Sequence, residues 1–188
     1  PWSAGIPEHS KDEFIILPWN DIELVKKTLA ERHNEIAAII TEPIMCNNGC
    51  IMPEEGFHAG LRSLCDQYGI ALIFDEVITG FRMSIGGSQQ YFGITPDMSI
   101  FAKAMGSGYP ISAIVGKREW MGLIEEAKVI HAGTMNSSNP TIAAALAALV
   151  GCSSVGGQCA RLSDGHRGNR CAKGRIRHGN SVNTASKT

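Results

Sequence analysis

The sequence predicts an α/β fold with a mostly parallel sheet. Two observations carry this expectation. The runs "IAAIIT" (36–41), "IALIF" (70–74) and "MSIFA" (98–102) are short and apolar on both faces, like strands covered on both sides. Segments with helical periodicity alternate with them, as in a layered α/β domain.

Each element has a local reason. In "NDIELVKKTLAERHNE" (20–35), Ile22, Val25 and Leu29 recur at helical spacing, and Asn20 or Asp21 supplies an N-cap. "IAAIIT" is the first strand. "PEEGFHAGLRSLCDQYG" (53–69) returns to helix: Phe57, Leu61, Leu64, Cys65 and Tyr68 make the apolar stripe and Gly69 the stop. "IALIF" and "MSIFA" follow as strands, with "ISAIVG" (111–116) as a further one. "NPTIAAALAALV" (139–150) reads as a helix with Asn139 as its cap and Pro140 in the first position.

Composition bounds the function. Of 188 residues, 44% are hydrophobic and 19% charged, with a net charge of -1, the profile of a soluble globular protein. No apolar run approaches the length of a bilayer span, and a start at Pro1 with no basic-then-apolar leader suggests a piece of something longer. The charge is uneven. Residues 1–150 carry 10 Lys+Arg against 17 Asp+Glu, whereas 151–188 carry 7 basic residues against Asp164 alone. This tail has no aromatic residue and few large aliphatics, too little to offset its ordering entropy. The domain division is therefore 1–150, a folded body, and 151–188, a basic, disordered or frame-shifted tail; neither nucleic acid nor membrane is read as its partner. Six cysteines, with no C-x-x-C pair, fit free thiols in a reducing, cytoplasmic setting. Cys152, Cys159, His166 and Cys171 match no common zinc spacing, so no metal is expected. Cys65 is read as a small core residue.

The chemistry gathers at strand ends. Glu42, Asp75 and Lys103 each follow directly after an apolar strand, and parallel strands would bring them to one rim, where α/β sheets bind ligands. A desolvated lysine is a nucleophile towards carbonyls. Paired with an acid, it suits pyridoxal 5'-phosphate (PLP): the lysine holds the aldehyde and the carboxylate keeps the ring nitrogen protonated. A buried Asp–Lys salt bridge would explain the same spacing. Glu76 is expected on the opposite side from Asp75, as a structural partner for Arg82. Glu42 is also read as structural, and His9, His33, His58 and His131 as surface or packing residues.

"TEPIMCNNG", "ALIFDEVITGFR", "GITPDMSIFAKAMGSGYPISAIVG" and "HAGTMNSSNP" together resemble the class III PLP-dependent aminotransferases, most closely their glutamate-1-semialdehyde 2,1-aminomutase-like members. The resemblance covers roughly residues 1–150. It implies part of the large domain of an aspartate aminotransferase-like, fold type I enzyme. It makes Lys103 and Asp75 catalytic and cofactor-binding, puts Val77 on the ring face, and assigns Thr134 to the phosphate of a partner subunit's cofactor, hence a homodimer. Asn47 stands where many transaminases carry a glutamate, and Ile78 where many carry a glutamine; both departures favour the aminomutase-like branch. The implied reaction moves an amino group between a small-molecule donor and an oxo acceptor. The alternatives are a cofactor-free Schiff-base lyase using Lys103, or a non-catalytic interaction protein. The family's phosphate loop and ring-stacking aromatic have no counterpart in these motifs, so turnover by this chain alone is not expected.

Overall fold

A computed structural model describes residues 4–136 and 138–163, with side chains as far as residue 151. Four strands form one sheet in the order β1-β2-β3-β4: β1 Ala38–Thr41, β2 Ala71–Asp75, β3 Met98–Phe101 and β4 Ala113–Gly116. β1, β2 and β3 run parallel and β4 is antiparallel to β3. The expected mostly parallel α/β layer is therefore present. The first strand is shorter than the "IAAIIT" run, beginning at Ala38.

Five helices accompany the sheet: α1 Ile22–Arg32, α2 Phe57–Tyr68, α3 Gly87–Phe92, α4 Arg118–Glu125 and α5 Asn139–Ser163. Of the two candidate caps for α1, Asp21 does the capping, its Oδ1 accepting from Leu24 N–H at 2.9 Å. Asn20 instead spans to a distant loop, donating to the Met52 carbonyl and accepting from Glu54 N–H. Asn139 lies inside α5 rather than capping it, because the Ser138 carbonyl already accepts from Ile142 N–H at 3.0 Å. The backbone of α5 runs past residue 150 to Ser163; residues 164–188 of the proposed tail, with His166 and Cys171, lie outside the described residues. α3 and α4 were not expected. α3 has only six residues, too few to show a helical period.

Strand alternation divides the sheet into two faces. Leu72 and Phe74 of β2, both 0% exposed, pack with Val25 and Leu29 of α1 and with Phe57, Leu61, Leu64 and Cys65 of α2. Cys65 is thus the core residue expected. Register places Ile40, Ile73 and Ile100 together on the other face, with Ile114 opposite Ile100. There Ile40 is 58% and Ile114 48% exposed.

Asp97, just before β3, ties the layer together. Its carboxylate accepts from Leu72 N–H at 2.7 Å and pairs with Arg62 of α2 at 2.8 Å and Lys117 after β4 at 2.6 Å. Burial alone would raise its pKa, but these hydrogen bonds and the Arg62 charge outweigh burial and hold it below the ordinary value.

Candidate functional site

The pairing of Thr41 with Phe74, and of Asp75 with Ile100, brings the carboxyl ends of the three parallel strands level. Glu42, Asp75 and Lys103 follow at or just beyond those ends. The sequence expectation of one shared rim is met by the backbone.

Lys103 opens a 3₁₀ turn, Lys103–Gly106, that packs against α5. It was expected to be desolvated, but it is exposed, because the chain leaves the sheet one residue earlier. Its φ is +41°, and Ser107 (+49°) and Gly108 (+105°) follow in the same left-handed region. Each non-glycine residue there costs about 1–3 kcal/mol, and such strain concentrates at functional sites. Gly106 is needed for closeness: a Cβ would fall 2.6 Å from Ile111 Cγ2.

The adjacent acids have opposite surroundings. Glu76 continues the alternation of Leu72 and Phe74 and is 0% exposed. Its carboxylate accepts from Thr79 Oγ1 at 3.1 Å, Ser88 N–H at 2.6 Å and Gln89 N–H at 3.1 Å. A carboxylate at the start of α3 thus meets amides that the helix leaves unpaired. Gly87 makes room for it: φ is +76°, and a Cβ would sit 2.5 Å from Glu76 Oε1. The expected Glu76–Arg82 pair is absent; Arg82 donates to the Ile78 carbonyl instead, and the α3 amides take the carboxylate. Asp75 lies on the other face, half-buried, its Oδ1 accepting from Val77 N–H at 3.0 Å. Asp75 and Lys103 do not form an ion pair with each other, and among the described residues neither pairs with any other charge. The salt-bridge explanation of their spacing is thereby removed.

After β1 the chain makes a tight turn, and Glu42 is structural there. It accepts from Cys46 N–H at 3.1 Å and from Asn47 Nδ2 at 2.8 Å. His58 braces the same loop from beneath, its Nε2 lying 2.8 Å from the Pro43 carbonyl. His58 packs beside Phe74 and Phe92, with ring centroids 5.3 and 5.0 Å away, and burial lowers its pKa despite the Pro43 bond. Val77 is half-buried in the turn after β2, and Thr134 is exposed in the turn 134–136. Glu76 with Gly87 is the feature that sequence reasoning missed. Its signal, an acid in phase with Leu72 and Phe74 and a Gly-Gly pair downstream, was available.

The fold of the chain matches solved structures. The chain superposes on an omega-transaminase from Sphaerobacter thermophilus with a TM-score of 0.76 and 32% identity, over 87% of this chain and 37% of that one. A transaminase with PLP bound gives 0.74 and 26% identity over 79% and 36%. The sheet and helices are thus part of a PLP-dependent transaminase fold. Residues 7–152 match the family aminotransferase class-III, and the chain belongs to it. In sequence it is 49% identical over 150 residues to the glutamate-1-semialdehyde 2,1-aminomutase of Methanocaldococcus jannaschii, covering 79% of this chain and 35% of that protein. The chain therefore spans about a third of the length of that curated relative.

Proposed function

We propose that this chain carries the lysine and the carboxylate of a PLP-dependent amino-group transfer site. One observation carries the reading: Asp75 and Lys103 stand at neighbouring parallel strand ends, neither neutralised by the other. Their donor chemistry fits the cofactor. An exposed amine can reach its aldehyde, and a carboxylate with one oxygen held by Val77 N–H keeps the second for the ring nitrogen. When bound, PLP supplies an electron sink for a carbanion at the substrate carbon.

Each residue then has a role. Lys103 Nζ would hold the cofactor and, once released, would be placed to take up and return a proton at the substrate carbon. Asp75 would keep the ring nitrogen protonated, and Val77 would border the ring. Asn47, steadied by Glu42, borders the cofactor. Exposed Thr134 is assigned to the phosphate of a second copy's cofactor, in a homodimer. The substrate class is a small molecule with an amino and an oxo group. Rearrangement of glutamate-1-semialdehyde is favoured by the Methanocaldococcus jannaschii relative and by Asn47 and Ile78; amino transfer between two molecules is supported by the likeness to the omega-transaminase. A cytoplasmic setting accords with the free thiols of Cys46, Cys50 and Cys65, and among the described residues no helix is long and apolar enough to cross a membrane.

The first experiment needs no turnover. PLP titrated into the protein should give absorbance near ~420 nm, and borohydride reduction with peptide mapping should place the pyridoxyl group on Lys103. Modification of another lysine would end the assignment. Asp75→Asn should retain labelling in this chain and, within an otherwise complete enzyme, lower amino transfer on the order of 10²-fold; unchanged transfer there would mean that the ring nitrogen has another partner.

A further inference from the structure

The turn after β1 holds a pair of thiols that the proposed chemistry does not use. Met45 and Ile51 exchange both backbone hydrogen bonds, at 3.0 and 3.2 Å, as an antiparallel bridge. The ladder stops at this bridge, because Cys46 opens the 3₁₀ turn Cys46–Asn48 and Cys50 has a left-handed backbone (φ +58°). The two cysteines follow directly inside a bridged pair whose Cα atoms lie about 5.5 Å apart, their thiols close enough to interact. A disulfide requires Cα atoms roughly 4.4–6.8 Å apart. Gly49 N–H closes the turn onto the Cys46 carbonyl at 3.3 Å, and Cys50 Sγ lies 3.9 Å from the same carbonyl oxygen. Cys50 is exposed, Cys46 is half-buried, and both are free thiols. The loop is braced from outside by Glu42, by His58 on Pro43 and by Asn20 on residues 52 and 54.

We propose that Cys46 and Cys50 form a dithiol site that exchanges with small disulfides and closes into an intramolecular disulfide across this turn. Exposed Cys50 reacts first. Its thiolate attacks the small disulfide, a bond forms from Cys50 Sγ to one sulfur, the sulfur–sulfur bond breaks, and one small thiolate leaves. Cys46 then gives its proton to water, its Sγ attacks Cys50 Sγ, and the second small thiolate departs. Two protein thiols are oxidised and one small disulfide is reduced to two thiols. The order follows from exposure and from proton affinity: burial, then the neighbouring Cys50 thiol, pushes the Cys46 pKa up to about 11, so Cys46 makes a poor initial nucleophile. The closed turn contains Asn47, and its formation does not depend on the amino-transfer reading.

The experiment equilibrates the 188-residue chain with mixtures of reduced and oxidised glutathione, quenches with acid, alkylates free thiols and digests with trypsin. Both cysteines fall in one tryptic peptide, residues 33–62, between Arg32 and the cut after Arg62. The expected product is that peptide lighter by two hydrogens. Its midpoint should lie at glutathione ratios roughly tenfold more reducing in the folded chain than in denaturing urea, because the fold holds the thiols together. Cys65, buried and raised to about 11, should remain reduced. Cys46→Ser should stop at a glutathione adduct on Cys50, and Cys50→Ser should slow reaction at Cys46 by roughly tenfold or more. Equal midpoints in folded and denatured chain, a lasting adduct on Cys50 beside free Cys46, or pairing of either thiol with another cysteine would each overturn the proposal.

Discussion

The two faces of the sheet are made from the same kinds of residue and meet different surroundings. On one, Leu72 and Phe74 are sealed by α1 and α2. On the other, Ile40, Ile73, Ile100 and Ile114 share a surface that is open at both edge strands. The adjacent acids repeat the division. Glu76 follows the sealed face and is consumed by structure, whereas Asp75 follows the open face, where one carboxylate oxygen accepts from Val77 N–H and the other is assigned, in the proposed site, to the cofactor. Position in the alternation, rather than residue type, decides which acid is buried in the fold and which faces the open side.

The largest test of that division is a pair of truncations. Phe74→Ala removes a fully buried ring from the α1–α2 cluster and should cost about 3–5 kcal/mol of unfolding free energy. Ile114→Ala, on the open face, should cost less than about 1 kcal/mol. Urea denaturation midpoints measure both, and equal losses would show that the open face is as well packed as the sealed one.

The neighbouring acids give the next comparison. In Glu76→Gln an amide NH₂ must occupy a pocket built from N–H and O–H donors, one of which then faces another donor. A loss of roughly 2–3 kcal/mol is expected for a buried group left unpaired. Asp75→Asn can keep its carbonyl oxygen on Val77 N–H, so its loss should stay within about 0.5 kcal/mol. Thermal denaturation of the two variants separates the cases. A Glu76→Gln chain as stable as the parent would mean that the α3 amides find other acceptors.

How much of this was legible in the sequence depended on the range of the interaction. Helices α1, α2 and α5 and all four strands were visible because periodicity is local. The shared rim followed from parallel order, which doubly apolar strands imply. Asp75 and Glu76 were placed on opposite sides from alternation alone. What escaped involves partners far apart in sequence: Glu76 with residues 88 and 89, Asp97 with Leu72, and Asn20 with residues 52 and 54. The exposure of Lys103 escaped as well, since no spacing rule announces a left-handed turn at a lysine. The division at residue 150 was drawn from composition, which does not mark where backbone hydrogen bonding stops in α5.

Acid should act mainly through the sealed side. The pKa of His58 is lowered from its ordinary 6.5, so the unfolded chain binds its proton first. Its contribution is fully present above pH 6.5 and shrinks as pH falls through the depressed folded value. Asp97 is likewise lowered, from 3.8; its contribution holds above that pH and is lost only in stronger acid. Stability against pH should therefore fall in two stages, and His58→Gln should remove the first stage while leaving the second. A single stage beginning near pH 3.8 in the parent would show that His58 is protonated in the fold without penalty.

The smallest effect on folding, with a clear effect on association, is expected at Ile114→Lys. Ile114 lies on β4, whose outer edge has no strand partner among the described residues, and with Ile40 it belongs to the exposed apolar surface. Unpaired edges beside such surfaces invite pairing between chains, and lysine is a common means of blocking it. The lysine stem can lie along the Ile100 side of the pair while the ammonium stays in water, so the folding cost should remain below about 1 kcal/mol. Light scattering over a concentration series should show the parent chain associating and Ile114→Lys associating less, at nearly the same melting temperature. A large drop in melting temperature would instead mark Ile114 as part of a packed core, and the contrast between the two faces would not survive it.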